Sequence, residues 1–250
     1  MVTGFQDHFS TVAANYRLYR PHYPSALMDC LHACCCDHDL VWDCATGNGQ
    51  AAVPLSQHFR HVWATDASAH QISQAEMAPG VSYAVAEAGQ SGLADASVDL
   101  VVVAQALHWL PMDAFYQEVK RVLKPQGVLA VWCYGRIQVD RPDLQAIFDD
   151  LDRIIAPYWP PERHWVDEAY QNIPFPFVEQ LFPRFEMRTA WKLSQLLGYV
   201  SSWSAVQAWS RQHPGSLLED LAQVLAEKGV DEFVDLAISW PLRGRLGTLV

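Results

Sequence analysis

Two carboxylates bracket a glycine-rich turn within residues 40 to 66, LVWDCATGNGQAAVPLSQHFRHVWATD. Asp43 closes the apolar run Leu40-Val41-Trp42, which has the length and composition of a buried strand. Ala45-Thr46-Gly47-Asn48-Gly49 follows as a turn of small residues, and a second apolar run from His61 ends in Asp66. Glycines let a backbone approach a ligand where a Cβ would collide. A helix starting after the turn would aim its unpaired N–H groups at the same ligand. Asp66, at the C-terminal edge of its strand, can accept hydrogen bonds from both hydroxyls of a ribose. Strand, turn, helix, strand and terminal acid together make a nucleotide-binding βαβ unit.

Two cofactor classes fit that unit. Gly47-Asn48-Gly49-Gln50-Ala51-Ala52 satisfies the G-x-G-x-x-A spacing of NAD-binding folds. Asp43 argues the other way, because an anion four residues before Gly47 opposes a pyrophosphate. It suits a cationic ligand carrying an α-ammonium and a sulfonium, such as S-adenosylmethionine.

Three other groups of residues could do chemistry. His108 has a side chain that titrates near working pH and is the candidate general base, with a structural hydrogen bond as the competing reading. Arg136, Arg163 and Arg211 could hold an acidic substrate bidentately, although solvation is the common fate of a single arginine. Cys30, His32, Cys34, Cys35, Cys36 and His38 are crowded enough to raise a metal site. They fall on an expected helix whose apolar stripe is Leu27, Cys30, Leu31 and Cys34, and no C-x-x-C pair is present, so packing is expected and no metal.

The elements that must position these residues follow from periodicity. Phe5, Phe9, Val12, Tyr16 and Tyr19 have helical spacing, and the prolines of Tyr19-Arg20-Pro21-His22-Tyr23-Pro24 force a bend after them. This segment is either a helix packed on the sheet edge or a lid that brings Tyr16, Tyr19 or Arg20 to a cofactor carboxylate. Helices are expected over 25–36, 68–77, 111–123 and 140–156, and strands over 81–86, 98–104, 128–134, 185–193 and 233–241. Pro54 sits early in the helix after the glycine turn, where a missing N–H is tolerated. Lys124-Pro125-Gln126-Gly127 reads as a tight turn. Residues 194 to 228 are expected to form cap helices over the site, and 157 to 165 a proline-broken aromatic loop.

Taken in order, residues 41 to 134 resemble the class I S-adenosylmethionine-dependent methyltransferases of the small-molecule type. The D-x-(G/A)-x-G-x-G turn at Asp43 to Gly49, Asp66, the acid–alanine pair Glu87-Ala88, the SVDLVVV strand and the LKPQG turn carry the resemblance. Gln105-Ala106-Leu107-His108-Trp109, the Tyr19 to Pro24 segment and Ser202-Trp203-Ser204-Ala205 are similar to the trans-aconitate-type carboxyl methyltransferase branch. The resemblance implies a Rossmann-like α/β fold: a seven-stranded, mostly parallel sheet with helices on both faces and a helical cap inserted near the C-terminus. It also implies that Asp43 and the turn of Ala45, Thr46, Gly47 and Gly49 hold the methionine moiety. Asp66 would take the ribose, Ala67, Glu87 and Ala88 the adenine, and Gln105 would lie beside the methionine. Ala45 departs from the glycine usual there, by one methyl group.

Three regions are expected: a lid helix at 1–24, a cofactor-binding core at 25–139, and a substrate half at 140–250. Trp109, Trp159 and Trp203 could line a flat apolar acceptor pocket or simply pack helices. A carboxylate or hydroxyl of a small molecule is the expected methyl acceptor, with S-adenosylhomocysteine as co-product. The alternatives are C- or N-methylation and a catalytically silent cofactor-binding interaction protein.

Composition agrees with an enzyme of this kind. The chain has 250 residues, half of them hydrophobic, and a formal charge of −11. Such a charge disfavours a nucleic-acid partner, which needs clustered Lys and Arg. No basic segment followed by an apolar core opens the chain and no run approaches a membrane span, so the expectation is a cytoplasmic location with no membrane partner.

Overall fold

The structure, a computed structural model, describes residues 21–249. Tyr16, Tyr19 and Arg20, with the rest of the expected lid helix up to residue 20, lie outside the described residues.

Five parallel strands form the centre of one sheet: β1 (Leu40–Cys44), β2 (His61–Asp66), β3 (Val81–Val85), β4 (Val98–Ala104) and β5 (Leu123–Tyr134), in the order β3-β2-β1-β4-β5. β6 (Gln138–Val139), β7 (Val178–Gln180) and β8 (Phe185–Trp191) all pair with β9 (Leu236–Thr248). The first half of β9 lies against β8 and β6, and its second half runs antiparallel to β5 and β7. The helices are α1 (Ser25–Ala33), α2 (Ala52–Leu55), α3 (Ala69–Ser73), α4 (Met112–Val122), α5 (Pro142–Ile155), α6 (Arg163–Asp167), α7 (Leu193–Ser201), α8 (Ser204–Ser210) and α9 (Leu217–Glu227).

The apolar runs are explained by burial on both faces, the usual condition of a parallel sheet. Successive side chains of a strand point to opposite faces. Val41, Leu100, Val102 and Ala130 therefore join Leu27, Leu31 and Leu55 in one core, which continues to Leu196, Val200 and Leu221 of the cap helices. Trp42, Val101, Val103, Leu129 and Val131 join Phe115, Val119 and Val122 of α4 in the other.

Among the described residues the sheet has nine strands where seven were expected; the additions are the short β6 and β7, which pair with β9. β9 also runs seven residues past the expected end at Pro241, because Leu242 to Thr248 pair with β5. Arg and Gly mask that half in the sequence. A Cβ on Gly244 would lie 2.5 Å from the Val131 carbonyl oxygen, so glycine is what allows the close pairing. The expected helix over 68–77 is only five residues long: Ser68 caps it, and the Glu76 N–H is donated to the Asn48 carbonyl instead of continuing a helix. The buried stripe of α1 is Leu27, Met28 and Leu31, while Cys30 and Cys34 are only partly buried. Among the described residues, no three His, Cys, Asp or Glu side chains converge as a metal centre would require, and no helix is long and apolar enough to cross a membrane.

The Lys124 to Gly127 turn is present as a bulge inside β5, with Gln126 at φ 67° and the pairing shifted between Val98 and Leu100. An ion pair holds it. Asp99 is 4% exposed; its Oδ2 accepts the N–H groups of Asp39 and Leu40 at 2.8 Å each, and its Oδ1 lies 2.6 Å from Lys124 Nζ. Lys124→Met strands a buried carboxylate, so a loss of about 2–4 kcal/mol is expected. A urea midpoint equal to the parent's would show the pair to be dispensable.

Candidate active site

The order β3-β2-β1-β4-β5 reverses direction between β1 and β4, and ligands of open α/β sheets bind outside the strand ends at such a switch. The loops leaving β1 and β4 carry the residues singled out from the sequence. In the first loop Ala45, Gly47 and Gly49 all have left-handed backbones, at φ 57°, 59° and 94°. For Ala45 this costs roughly 1 kcal/mol that a glycine would avoid. Thr46 N–H is donated to the Thr65 carbonyl at 2.9 Å, which ties the turn to β2. The helix after the turn is a single four-residue turn, α2, with Pro54 inside it. It is shorter than the sequence pattern implied, so the turn's own N–H groups carry the site more than the helix does.

Asp66 does more than end β2. Its Oδ2 accepts the Gly47 N–H at 2.9 Å and its Oδ1 the Ser68 N–H at 2.8 Å, so it fixes the glycine turn. Asp66→Ala is expected to weaken cofactor binding by roughly 2–3 kcal/mol, since two ribose hydroxyls would lose a charged acceptor. Calorimetry giving an unchanged Kd would remove Asp66 from the site.

Asp43 is the unusual group. It is fully buried; Thr46 Oγ1 donates to its Oδ2 at 2.6 Å, and its Oδ1 has no hydrogen-bond partner. Burial pushes its pKa up to about 7; the Thr46 hydroxyl opposes the shift, the Asp66 charge adds to it, and the Ala52 N–H opposes it weakly. Among the described residues it is the one buried carboxylate oxygen left without a partner. An anion would worsen this position, and a cationic ammonium or sulfonium would relieve it. The donor set therefore fits S-adenosylmethionine and does not fit a pyrophosphate.

Tyr83 on β3, which the sequence did not single out, covers the turn. Its hydroxyl donates to the Glu76 carbonyl at 2.8 Å and sits where a Cβ on Gly49 would be. Ala67 is half-buried beyond Asp66, Glu87 is exposed beyond β3, and Ala88 packs on the second core. These positions line the same sheet edge.

The β4 loop supplies the other wall. Gln105 has φ 59° and its amide is committed to β5: Nε2 donates to the Tyr134 carbonyl at 3.0 Å and Oε1 accepts the Tyr134 N–H at 2.7 Å. Beside it opens a cavity lined by His108, Trp109, Tyr134, Trp159 and Trp203. Arg136, Asp152 and Arg163 line it too, whereas Arg211 does not. Arg163 lies 4.4 Å over the Trp159 ring and its Nε pairs with Asp167 at 3.1 Å. Arg136 faces the buried Asp152 at 3.4 Å; burial raises the Asp152 pKa and Arg136 and Arg163 oppose the shift. Burial, with the Arg163 charge second, pushes His108 down to about 3. It is neutral at working pH and a weak base, which disfavours the general-base reading. Asp152 and Tyr170, which contacts His108, went unnoticed in the sequence because no periodicity or motif marks them.

The comparisons agree with this geometry. Residues 42–131 match the model of a methyltransferase domain. A candidate methyltransferase of Dictyostelium discoideum is 32% identical over 89% of this chain and 86% of its own length. A candidate S-adenosylmethionine-dependent methyltransferase of Saccharomyces cerevisiae is 24% identical over 85% of this chain and 84% of its own. The solved structure of a candidate type II methyltransferase from Anaeromyxobacter dehalogenans superposes with a TM-score of 0.87 at 38% identity, covering 92% of this chain and 98% of that one. A glycine turn tied to Asp66, a buried carboxylate with one unpartnered oxygen and relatives matched along nearly their whole length lead to one assignment: the chain belongs to the S-adenosylmethionine-dependent methyltransferases.

Proposed function

We propose that the protein methylates a carboxylate oxygen of a small organic acid. The observation that carries this reading is the cavity beside Gln105, where two guanidinium groups, Arg136 and Arg163, border an aromatic wall. Guanidinium groups suit carboxylates, which they can hold bidentately. Bound S-adenosylmethionine supplies a methyl carbon activated by its sulfonium. Asp43 and the Ala45 to Gly49 turn would hold its methionine end, with Asp66 on the ribose, Ala67, Glu87 and Ala88 at the adenine and Gln105 bracing the wall beside the methionine. Trp109, Trp159 and Trp203 would seat the acceptor and exclude water, and alignment with desolvation would supply most of the rate enhancement. A carboxylate nucleophile arrives with its electron pair available, so it needs no base; this suits a site whose imidazole is neutral. Residues 140–228 would choose the acceptor and residues 1–24 would close over the cofactor. Six free cysteines support a reducing, cytoplasmic compartment.

The test is to incubate the protein with methyl-labelled S-adenosylmethionine and panels of carboxylic acids, phenols and amines. A product that returns labelled methanol on mild hydroxide treatment is expected, from an acid. A hydroxide-stable product from an amine or a carbon acid would replace this reading. Tight S-adenosylhomocysteine binding with no turnover in any panel would favour a silent cofactor-binding protein.

A further inference from the structure

The His108 imidazole is held from one side. Its Nδ1 lies 2.9 Å from the Tyr170 hydroxyl, and the ring borders the cavity beside Gln105. Among the described residues Nε2 has no hydrogen-bond partner. The surroundings of Tyr170 decide which group donates. Tyr170 is wholly buried, and burial pushes its pKa well up, so the phenol keeps its hydrogen. The N–H groups of Leu107 and His108 are turned towards its oxygen and partly offset that shift. With donors facing the oxygen, the hydroxyl hydrogen needs an acceptor, and Nδ1 is the one in reach. A neutral imidazole carries a single N–H. If Nδ1 accepts, the proton sits on Nε2, at the cavity.

We propose that Tyr170 fixes His108 as its Nε2–H tautomer, so that His108 donates a hydrogen bond to the methyl acceptor and takes no proton from it. His108 then steadies one acceptor oxygen while the other attacks. The attacking oxygen forms the new O–C bond as the C–S bond breaks, the electron pair of that bond ends on sulfur, and no proton remains to be removed. The acceptor half of this inference rests on the methyl-transfer reading above; the tautomer half does not.

The segment bearing Tyr170 is built to hold it still. Ala169 and Tyr170 have left-handed backbones, at φ 54° and 60°, which persist in non-glycine residues only where the surroundings over-determine them. Here the Tyr170 N–H is donated to the Trp165 carbonyl at 2.8 Å. Arg245 Nη1 donates to the carbonyls of both Tyr170 and Ile173, while the same guanidinium forks onto Glu179 at 2.6 and 3.0 Å. The charges around His108 favour the neutral ring on balance. Arg163 from α6 disfavours a second proton; Arg136 lines the same cavity with Asp152 as its partner, and Asp167 is paired with Arg163. Burial pushes His108 down to about 3, in the same direction.

The experiment is long-range proton–nitrogen NMR of the full chain labelled with ¹⁵N-histidine, recorded from about pH 5.5 to 8.5, across the range where an ordinary histidine titrates. His108→Gln identifies the His108 signals by their loss. A neutral Nε2–H pattern that does not titrate is expected, and Tyr170→Phe, which keeps the ring and removes the hydroxyl, should convert it to a mixture of tautomers. An Nδ1–H pattern, an imidazolium forming within that range, or an unchanged spectrum in Tyr170→Phe would overturn the proposal. With an acceptor in hand and S-adenosylmethionine saturating at every pH, kcat/KM for the acceptor should be flat over the same pH range. His108→Gln, whose amide N–H can stand in for Nε2–H, should keep acceptor KM within about threefold, while His108→Ala should raise it about tenfold, the worth of one hydrogen bond. A base-like rise of kcat/KM with pH that vanishes in His108→Gln would also overturn it. The expected NMR pattern together with failure of every acid acceptor would sink the carboxylate reading and leave the tautomer standing.

Discussion

Asp43→Asn is expected to make the ligand-free protein more stable at neutral pH and to abolish cofactor binding. Asp43 is fully buried with one oxygen unpartnered, and burial pushes its pKa from 3.8 to about 7. The sign follows from which state holds the proton. Between about pH 4 and 7 the folded protein keeps a proton on Asp43 that the unfolded chain has released, so stability falls as pH rises through that window and levels off above it. The accumulated cost is about 4 kcal/mol. An asparagine removes most of that cost and adds an unsatisfied amide worth about 1–3 kcal/mol, for a net gain of about 1–3 kcal/mol at pH 8. Urea unfolding checks the gain and calorimetry checks the loss of S-adenosylmethionine, expected to exceed about a hundredfold for a buried charge left unpaired. In the parent protein the affinity should also fall by up to about tenfold per pH unit below pH ~7, because the ligand's cation needs an ionised Asp43. Undiminished binding by the variant would mean that Asp43 does not face the cofactor.

Gly49→Ala is expected to be strongly destabilising. A Cβ there would lie 2.2 Å from the Tyr83 hydroxyl and 3.1 Å from the ring carbon bearing it, on a backbone at φ 94°. Two costs are mixed: a steric one, aggravated because Tyr83 is tied to the Glu76 carbonyl, and a backbone one that no neighbour can relieve. Tyr83→Phe in the same chain separates them, since it removes the nearest atom and leaves φ unchanged. We expect Gly49→Ala to lose about 2–4 kcal/mol of stability and the double variant to recover about half of that. Full recovery would show that the left-handed backbone at Gly49 costs nothing. No recovery would show that the backbone is the whole cost.

The cofactor half of the site was legible in the sequence because its logic is local. Strand ends, a turn needing glycine and the acids beside it lie within 27 consecutive residues, 40 to 66, and their roles follow from backbone geometry that short segments dictate. β4 was readable to the residue because an unbroken apolar run has few other fates than a strand buried on both faces. What failed locally failed for tertiary reasons. Residues 74–77 leave the helix because Asn48 offers the Glu76 N–H a partner, and Leu242 to Thr248 become strand because β5 and β7 flank them. The acceptor half is assembled almost wholly at long range. His108 faces Tyr170, 62 residues away; Arg245 holds Tyr170 from 75 residues away; and Arg136 finds Asp152 across a turn of chain with no motif in it. The sequence by itself determined the fold class and the cofactor, because both follow from local patterns of strand ends and backbone turns. Only the tertiary structure decided that Asp43 is a buried carboxylate with an empty side, that His108 is neutral and that two guanidinium groups border the cavity, because burial and charge at a point depend on everything packed around it.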